Sequence, residues 1–188
     1  MSKEINLVTS NEDRYQFVKK ALNQFKINVE KQPLKIDEIQ ADTVEEVALK
    51  KTLNAVKQLN APCICEDTEL TINALSGFPG PYMKFAQSRL SLEKILLLMK
   101  DEKNKAAIFK SILVYAEPSG EHKVFETKLD GEIITSPRGT NGKGWDSIFL
   151  VKESRKTLAE YTYEERFLLW NKGYVNFGNW YSQSVTNG

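Results

Sequence analysis

The apolar run Cys63-Ile64-Cys65 passes directly into Glu66-Asp67-Thr68-Glu69-Leu70, and Gly77-Phe78-Pro79-Gly80-Pro81-Tyr82 follows soon after. A short apolar run restarted by Pro62 reads as one buried strand. Carboxylates at the mouth of such a strand lose hydration unless cations or backbone donors meet them. The expectation is therefore a strand ending at a hard-metal site with positive charge close by. The competing reading is local: Glu66 and Asp67 cap the turn that follows, as acids before loops often do.

Three further segments favour a site over a simple turn. Val8-Thr9-Ser10-Asn11 ends the first apolar run, Ile36-Asp37-Glu38-Ile39-Gln40 adds an acid after a connecting segment, and Arg138 to Asp146 is a Gly-rich loop. Four polar loops are expected to share one cleft.

Ile5 to Val8 reads as a strand, and Tyr15, Val18, Leu22 and Phe25 recur at helical spacing after it. Thr43 stands three residues ahead of Glu46, the spacing of a capping box, and Val44 to about Leu59 carries a helical pattern. A second helix is expected between Ser91 and Lys100, buried because its apolar run covers almost every face. Ala106–Tyr115 and Lys123–Leu129 read as strands joined by the Pro118-Ser119-Gly120 turn, with a third at Gly131–Thr135. Thr157–Trp170 is expected to contain a short helix, whereas Gly173, Gly178 and several Asn make the last fifteen residues poor helix material. Strand, helix, strand units in front and hairpins behind give an α/β or mixed α+β sheet, and 188 residues without a Pro/Gly/Ser-rich linker give one domain over 1–188.

Composition excludes several classes. With 41 % hydrophobic and 27 % charged residues the composition suggests neither a disordered chain nor a membrane protein, and Ile95 to Met99 is far too short to span a bilayer. A net charge of +1 argues against stable nucleic-acid binding through a broad positive field. Cys63 and Cys65, two apart on a strand, share a face and read as buried thiols; with no signal pattern ahead of Leu7, a reducing, cytoplasmic setting is expected. The single histidine, His122, lies in a charged turn and reads as a solvated hairpin residue, which leaves no imidazole for a His-Glu-x-x-His zinc site or a Ser-His-Asp triad.

Thr9-Ser10-Asn11, Glu38-Ile39-Gln40, Glu66-Asp67-Thr68, Asn73-Ala74-Leu75 with Gly77 to Lys84, and Gly144-Trp145-Asp146 together resemble the inosine triphosphate pyrophosphatase, or Ham1, family over nearly the whole chain. The resemblance implies hydrolysis of deaminated purine nucleoside triphosphates such as ITP, dITP and XTP to monophosphate and pyrophosphate. It also implies an elongated, two-lobed fold, shared with the related Maf family, with the cleft between lobes, and assembly as a homodimer.

Splitting a triphosphate between its α and β phosphorus calls for a divalent ion, cations on the phosphate tail and a carboxylate that orients water. Glu38 and Asp67 are hard oxygen donors suited to Mg2+, with Mn2+ as an alternative; by the resemblance Glu38 binds the metal and Asp67 is the main catalytic carboxylate. Glu66 is either a further ligand or a partner of Asp67's neighbours. Lys51, on the Thr43 helix at the family's basic position, is by the resemblance a candidate catalytic residue and phosphate contact. Thr9, Ser10 and Asn11 precede a helix and either present donors to phosphate or simply cap it. Arg14, Lys84 and Arg166 are the expected phosphate cations, with Arg14 and Arg166 standing where the family has Lys.

The base pocket departs from the family. Lys143 stands in place of the usual Phe before Gly144-Trp145-Asp146, and Trp170-Asn171-Lys172 stands where Ser-His-Arg reads the purine edge. Trp145 and Trp170 are candidate stacking faces, with a core or interface role as the alternative for Trp170. Lys172 is a candidate donor to a carbonyl oxygen, Asn171 to either edge. Two further readings stay open: a nucleotide-binding protein with attenuated turnover, and an enzyme re-specified for a modified pyrimidine nucleotide.

Overall fold

Ile5, Leu7 and Val8 are at most 2 % exposed, so the first apolar run forms a strand buried on both faces. The structure, a computed structural model, describes residues 3–184. Strand β1, Lys3–Val8, is parallel to both β2, Ile27–Gln32, and β3, Cys63–Ile72, with Ile5 opposite Val29 and Asn6 opposite Cys63. The sheet runs β2-β1-β3-β5-β6-β7, where β5 is Ala106–Ala116, β6 His122–Ile133 and β7 Phe149–Val151; the two-residue β4, Pro79–Gly80, pairs antiparallel with β3. The fold is mixed α/β with seven strands and six α-helices among the described residues.

The chain divides into two compact units, the first comprising Met1–Asp67, Ser111–Thr127 and Trp170–Gly188, the second Thr68–Lys110 and Lys128–Leu169. In the first unit, helix α1, Glu12–Asn23, starts at Asn11, whose Oδ1 accepts the Arg14 N–H at 3.1 Å. Helix α2, Val44–Leu59, starts at Thr43, whose hydroxyl accepts the Glu46 N–H at 3.3 Å and donates to the Glu46 carboxylate at 3.2 Å. A cap of this kind contributes about 1 kcal/mol. Asn60, in the left-handed region at φ 50°, stops α2 by donating to Val56 O at 2.8 Å. Ala55 and Val56 of α2 pack on Val8, Cys63, Cys65 and Ala116, and both cysteines are free, buried thiols.

The last helix of this unit corrects the expectation of an irregular tail: α6 spans Lys172–Ser184. Its two glycines lie where larger residues would collide. A Cβ on Gly178 would come within 2.2 Å of the Phe25 ring, and one on Gly173 within 3.0 Å of Thr127 Oγ1. Tyr174, Phe177 and Tyr181 form an aromatic stripe at helical spacing; Phe177 is fully buried and meets Phe125 edge-on at 5.5 Å. Close approach and aromatic burial outweigh the roughly 1 kcal/mol of propensity that each glycine costs.

In the second unit β3 continues past Asp67 to Ile72, so the carboxylates lie inside a strand rather than at its end. The ladder is extended there by β4, with Leu70 opposite Gly80. Helix α3, Met83–Arg89, was not expected, nor were β2 and β7. Helix α4, Leu92–Leu98, forms as the pattern predicts but is only partly covered: Ile95 is buried, while Leu97 and Leu98 are 68 % and 50 % exposed. The expected third strand at 131–135 is instead the end of β6, continued through Gly131, which lies against Phe149 and Leu150 so closely that a Cβ would stand 2.6 Å from the Phe149 ring. Helix α5, Tyr163–Trp170, fulfils the prediction of a short helix.

Candidate active site

Successive side chains of a strand point to opposite faces, and that rule organises the site in the first unit. Cys63, Cys65 and Asp67 share the face that α2 covers, so Asp67 meets Lys51 of α2: Nζ donates to Asp67 Oδ2 at 2.9 Å. The same ammonium donates to Glu38 Oε1 at 2.8 Å, from the segment between β2 and α2. One cation thus holds two carboxylates that are 29 residues apart in sequence (67 − 38). Burial pushes the Asp67 carboxyl above its ordinary pKa, against the opposing pull of Lys51 and Arg14. Burial acts to lower the Lys51 ammonium, but Asp67 and Glu38 more than offset it and the net shift is upward, so Lys51 stays charged.

Glu66 points the other way and is 5 % exposed. Its Oε2 accepts from Arg14 Nε of α1 at 2.9 Å and from the Tyr174 hydroxyl of α6 at 2.8 Å; its Oε1 accepts from the Ser111 hydroxyl of β5. Arg14 Nη1 also donates to the Glu66 carbonyl oxygen at 3.0 Å. Of the two readings of Glu66, a further ligand or a partner of neighbouring groups, the geometry displays the second: its carboxylate is taken up by three protein donors, on the face opposite Asp67. Tyr174 and Ser111 were not found from sequence. Each is an ordinary strand or helix residue, and only the packing of α6 and β5 on β3 brings them together.

Glu38 and Asp67 remain as the pair of hard oxygens converging on one cationic position. Two carboxylates with room for water and phosphate suit Mg2+ or Mn2+, which are seldom caged by protein alone. Among the described residues no group of three or more His, Cys, Asp or Glu forms such a cage. The donor chemistry fits a small divalent ion bound jointly with a polyphosphate.

At the C-terminal end of β1, beside these acids in the parallel register, Thr9 is 6 % exposed and its Oγ1 accepts the Asn11 N–H at 3.1 Å, while Asn11 caps α1. The capping role is thus realised, and Ser10 is exposed at the helix start. At the opposite end of the chain, Thr127 Oγ1 accepts from Gly173 N at 2.8 Å and donates to the Trp170 carbonyl at 3.4 Å, clamping the break between α5 and α6. Trp170 and Asn171 are half-buried there and Lys172 is exposed.

The remaining expected residues lie in the second unit. Trp145 is 2 % exposed and its indole N–H points to Met83 O at 3.4 Å, which corrects the idea of a stacking face: the ring belongs to the core. Asp146 accepts from Lys143 N at 2.9 Å and from Arg166 Nη2 at 3.3 Å, closing the 3-10 turn Gly144–Ser147. Burial raises the Asp146 carboxyl, with the Lys143 N–H and Arg166 opposing. Gly142, at φ +88°, lies so close to Asp146 and Arg166 that a Cβ would sit 2.2 Å from Asp146 Oδ2. Lys84 is exposed in the first turn of α3; in the first unit, His122 is exposed as expected, at the first residue of β6. No helix among the described residues is long and apolar enough to cross a membrane.

Comparison with known proteins gives these residues their setting. The family model described as the Ham1 family matches residues 5–169. The dITP/XTP pyrophosphatase of Methanopyrus kandleri is 35 % identical over 184 residues, covering 97 % of this chain and 98 % of that one. The inosine triphosphate pyrophosphatase of Candida glabrata is 36 % identical over 164 residues, 84 % of this chain and 85 % of its own. Among solved structures, the Ham1 protein of Staphylococcus aureus superposes with a TM-score of 0.82 at 26 % identity, covering 97 % of this chain and all of that one. That of Coxiella burnetii gives 0.81 at 26 % identity, over 99 % and 100 %. A family match over most of the chain, carried by relatives of nearly its full length and by the same fold, means that this protein belongs to the Ham1 family.

Proposed function

We propose that the chain hydrolyses deaminated purine nucleoside triphosphates, of the dITP, ITP and XTP type, to the monophosphate and pyrophosphate. The observation that carries the reading is the convergence of Asp67 Oδ2 and Glu38 Oε1 on Lys51 Nζ. Relatives named for dITP/XTP and ITP pyrophosphatase activity support the substrate class. Glu38 and Asp67 would hold Mg2+, which when bound neutralises triphosphate oxygens. Asp67, raised by burial toward the operating pH, accepts the proton of the water whose oxygen bonds to the α phosphorus as the bridging bond to the β phosphate breaks. Lys51 keeps both acids in place and stays cationic beside the leaving pyrophosphate. Arg14, with Nε and one Nη committed to Glu66, retains further N–H donors for phosphate.

Base choice is assigned to the turn Trp170-Asn171-Lys172. Two buried free thiols support a reducing, cytoplasmic setting, and homodimerisation is carried by the family resemblance. The test is pyrophosphate release with magnesium across ITP, dITP, XTP, the standard triphosphates and modified pyrimidine triphosphates, with Asp67→Asn as blank. Preference for ITP, dITP or XTP is expected. Preference for a pyrimidine would move the substrate class, and silence across the panel with nucleotide still bound would overturn the enzymatic reading.

A further inference from the structure

Resting on the hydrolase reading above, we propose that Tyr174 is a positioning residue whose hydroxyl, acting through Glu66, holds the Arg14 guanidinium in place for the phosphate tail. Glu66 is the shared partner. Its Oε2 accepts from Tyr174 at 2.8 Å and from Arg14 Nε at 2.9 Å, and its backbone oxygen accepts from Arg14 Nη1 at 3.0 Å. Side chain and backbone of one residue therefore fix the plane of the guanidinium, and the donors not committed there face away from Glu66. The assembly is dry at its centre: Glu66, Ser111 and Tyr174 are 5 %, 5 % and 4 % exposed, whereas the Arg14 side chain keeps 19 %. Burial, with Glu66 beside it, raises the Tyr174 hydroxyl well above its ordinary pKa, so it remains a donor across the working range.

Tyr174 stands two residues beyond Lys172, on a stretch that Thr127 already clamps through Gly173 N and Trp170 O. The turn assigned to base choice and the cation assigned to phosphate are thus registered against the same buried carboxylate. Because Glu66 and Asp67 are adjacent in β3, that registration is carried to the reactive acid with no mobile segment between. Phenylalanine at 174 would keep the packing and remove one donor. With Tyr174 gone, Glu66 Oε2 keeps Arg14 Nε as its one donor and draws harder on it, and the guanidinium shifts toward the carboxylate and away from the phosphate.

The experiment measures the affinity of inorganic tripolyphosphate, with magnesium, by calorimetry for wild type, Tyr174→Phe, Arg14→Lys and the double variant. Tripolyphosphate has no base, so it isolates the phosphate contacts. Each single change is expected to weaken binding by about tenfold, and the double variant to be no weaker than Arg14→Lys alone, since both act through one guanidinium. The same loss should appear in KM for ITP with kcat within about twofold for Tyr174→Phe. An affinity unchanged in Tyr174→Phe, or losses that multiply in the double variant, would overturn the inference; a residue that only supports the fold lowers Tm without this coupling. If Tyr174→Phe does not fold, Glu66→Gln cuts the same relay at its centre and is judged by the same cycle. Wild-type protein that binds tripolyphosphate but hydrolyses no triphosphate would overturn the proposed activity and not the positioning role, which the cycle decides; wild-type protein that binds no tripolyphosphate would overturn the positioning role.

Discussion

Asp67 is a carboxylate whose burial works against its charge, and its stability linkage follows from that direction. A folded pKa above the unfolded one contributes stability that is present below the unfolded pKa and is lost as pH rises through the folded pKa. At neutral pH the native ionised Asp67 is therefore a cost to folding, and Asp67→Asn is expected to keep or raise Tm. Its pyrophosphate release should fall by about 10²–10⁴-fold, the usual contribution of a positioned base. Calorimetry and a coupled assay on one preparation check both; a Tm fall of many degrees would show that the acid is structural. Lys51 pulls in the opposite direction on the same carboxyl. Lys51→Met is expected to lower kcat and to move the acid limb of the rate profile upward by about one pH unit. An acid limb that stays in place would assign it to a group other than Asp67.

At the scale of elements, α2 was legible because Thr43, Glu46 and the apolar repeat agree, and a helix whose cap and stripe agree needs little tertiary help. The opposite holds for α6, where glycine content predicts an irregular segment and the packing against Phe25 and Thr127 produces a helix. The helical spacing of Tyr174, Phe177 and Tyr181 is the one local signal for this helix, and the glycines oppose it. This makes a prediction against propensity. Gly178→Ala, which would stabilise an isolated helix by up to about 1 kcal/mol, is expected instead to destabilise the protein by about 1–3 kcal/mol through overpacking on Phe25. Urea denaturation checks the sign, and a stabilised variant would show that the Phe25 ring yields freely. The fusion of two expected strands into β6 has the same origin: Gly131 reads as a break, but it is the residue that lets the strand pass Phe149.

For the whole molecule, the two acids that fit a divalent ion are already bridged by Lys51 within the protein itself. Chelation is therefore expected to abolish turnover while leaving Tm within about two degrees, in contrast to structural metal sites whose binding energy is folding energy. Thermal scans with and without chelator, followed by rescue of activity with Mg2+ or Mn2+, test this. A large Tm loss on chelation would mean that the metal organises the fold as well as the chemistry.

The chain by itself determined its chemistry. Hard acids at 38 and 67, a lysine on a capped helix at 51 and the segment from Glu66 to Lys84 identify the family, because residue type and spacing are properties of the chain. Tertiary structure decided which of these groups act together. Pairing carried β3 beyond its acids, and the alternation of its side chains sent Asp67 toward Lys51 and Glu66 toward Arg14 and Tyr174. Packing also took Trp145 into the core and turned a glycine-bearing tail into a helix that supplies Tyr174. Such contacts join residues as far apart as 66 and 174, and local propensity holds no information about partners at that separation.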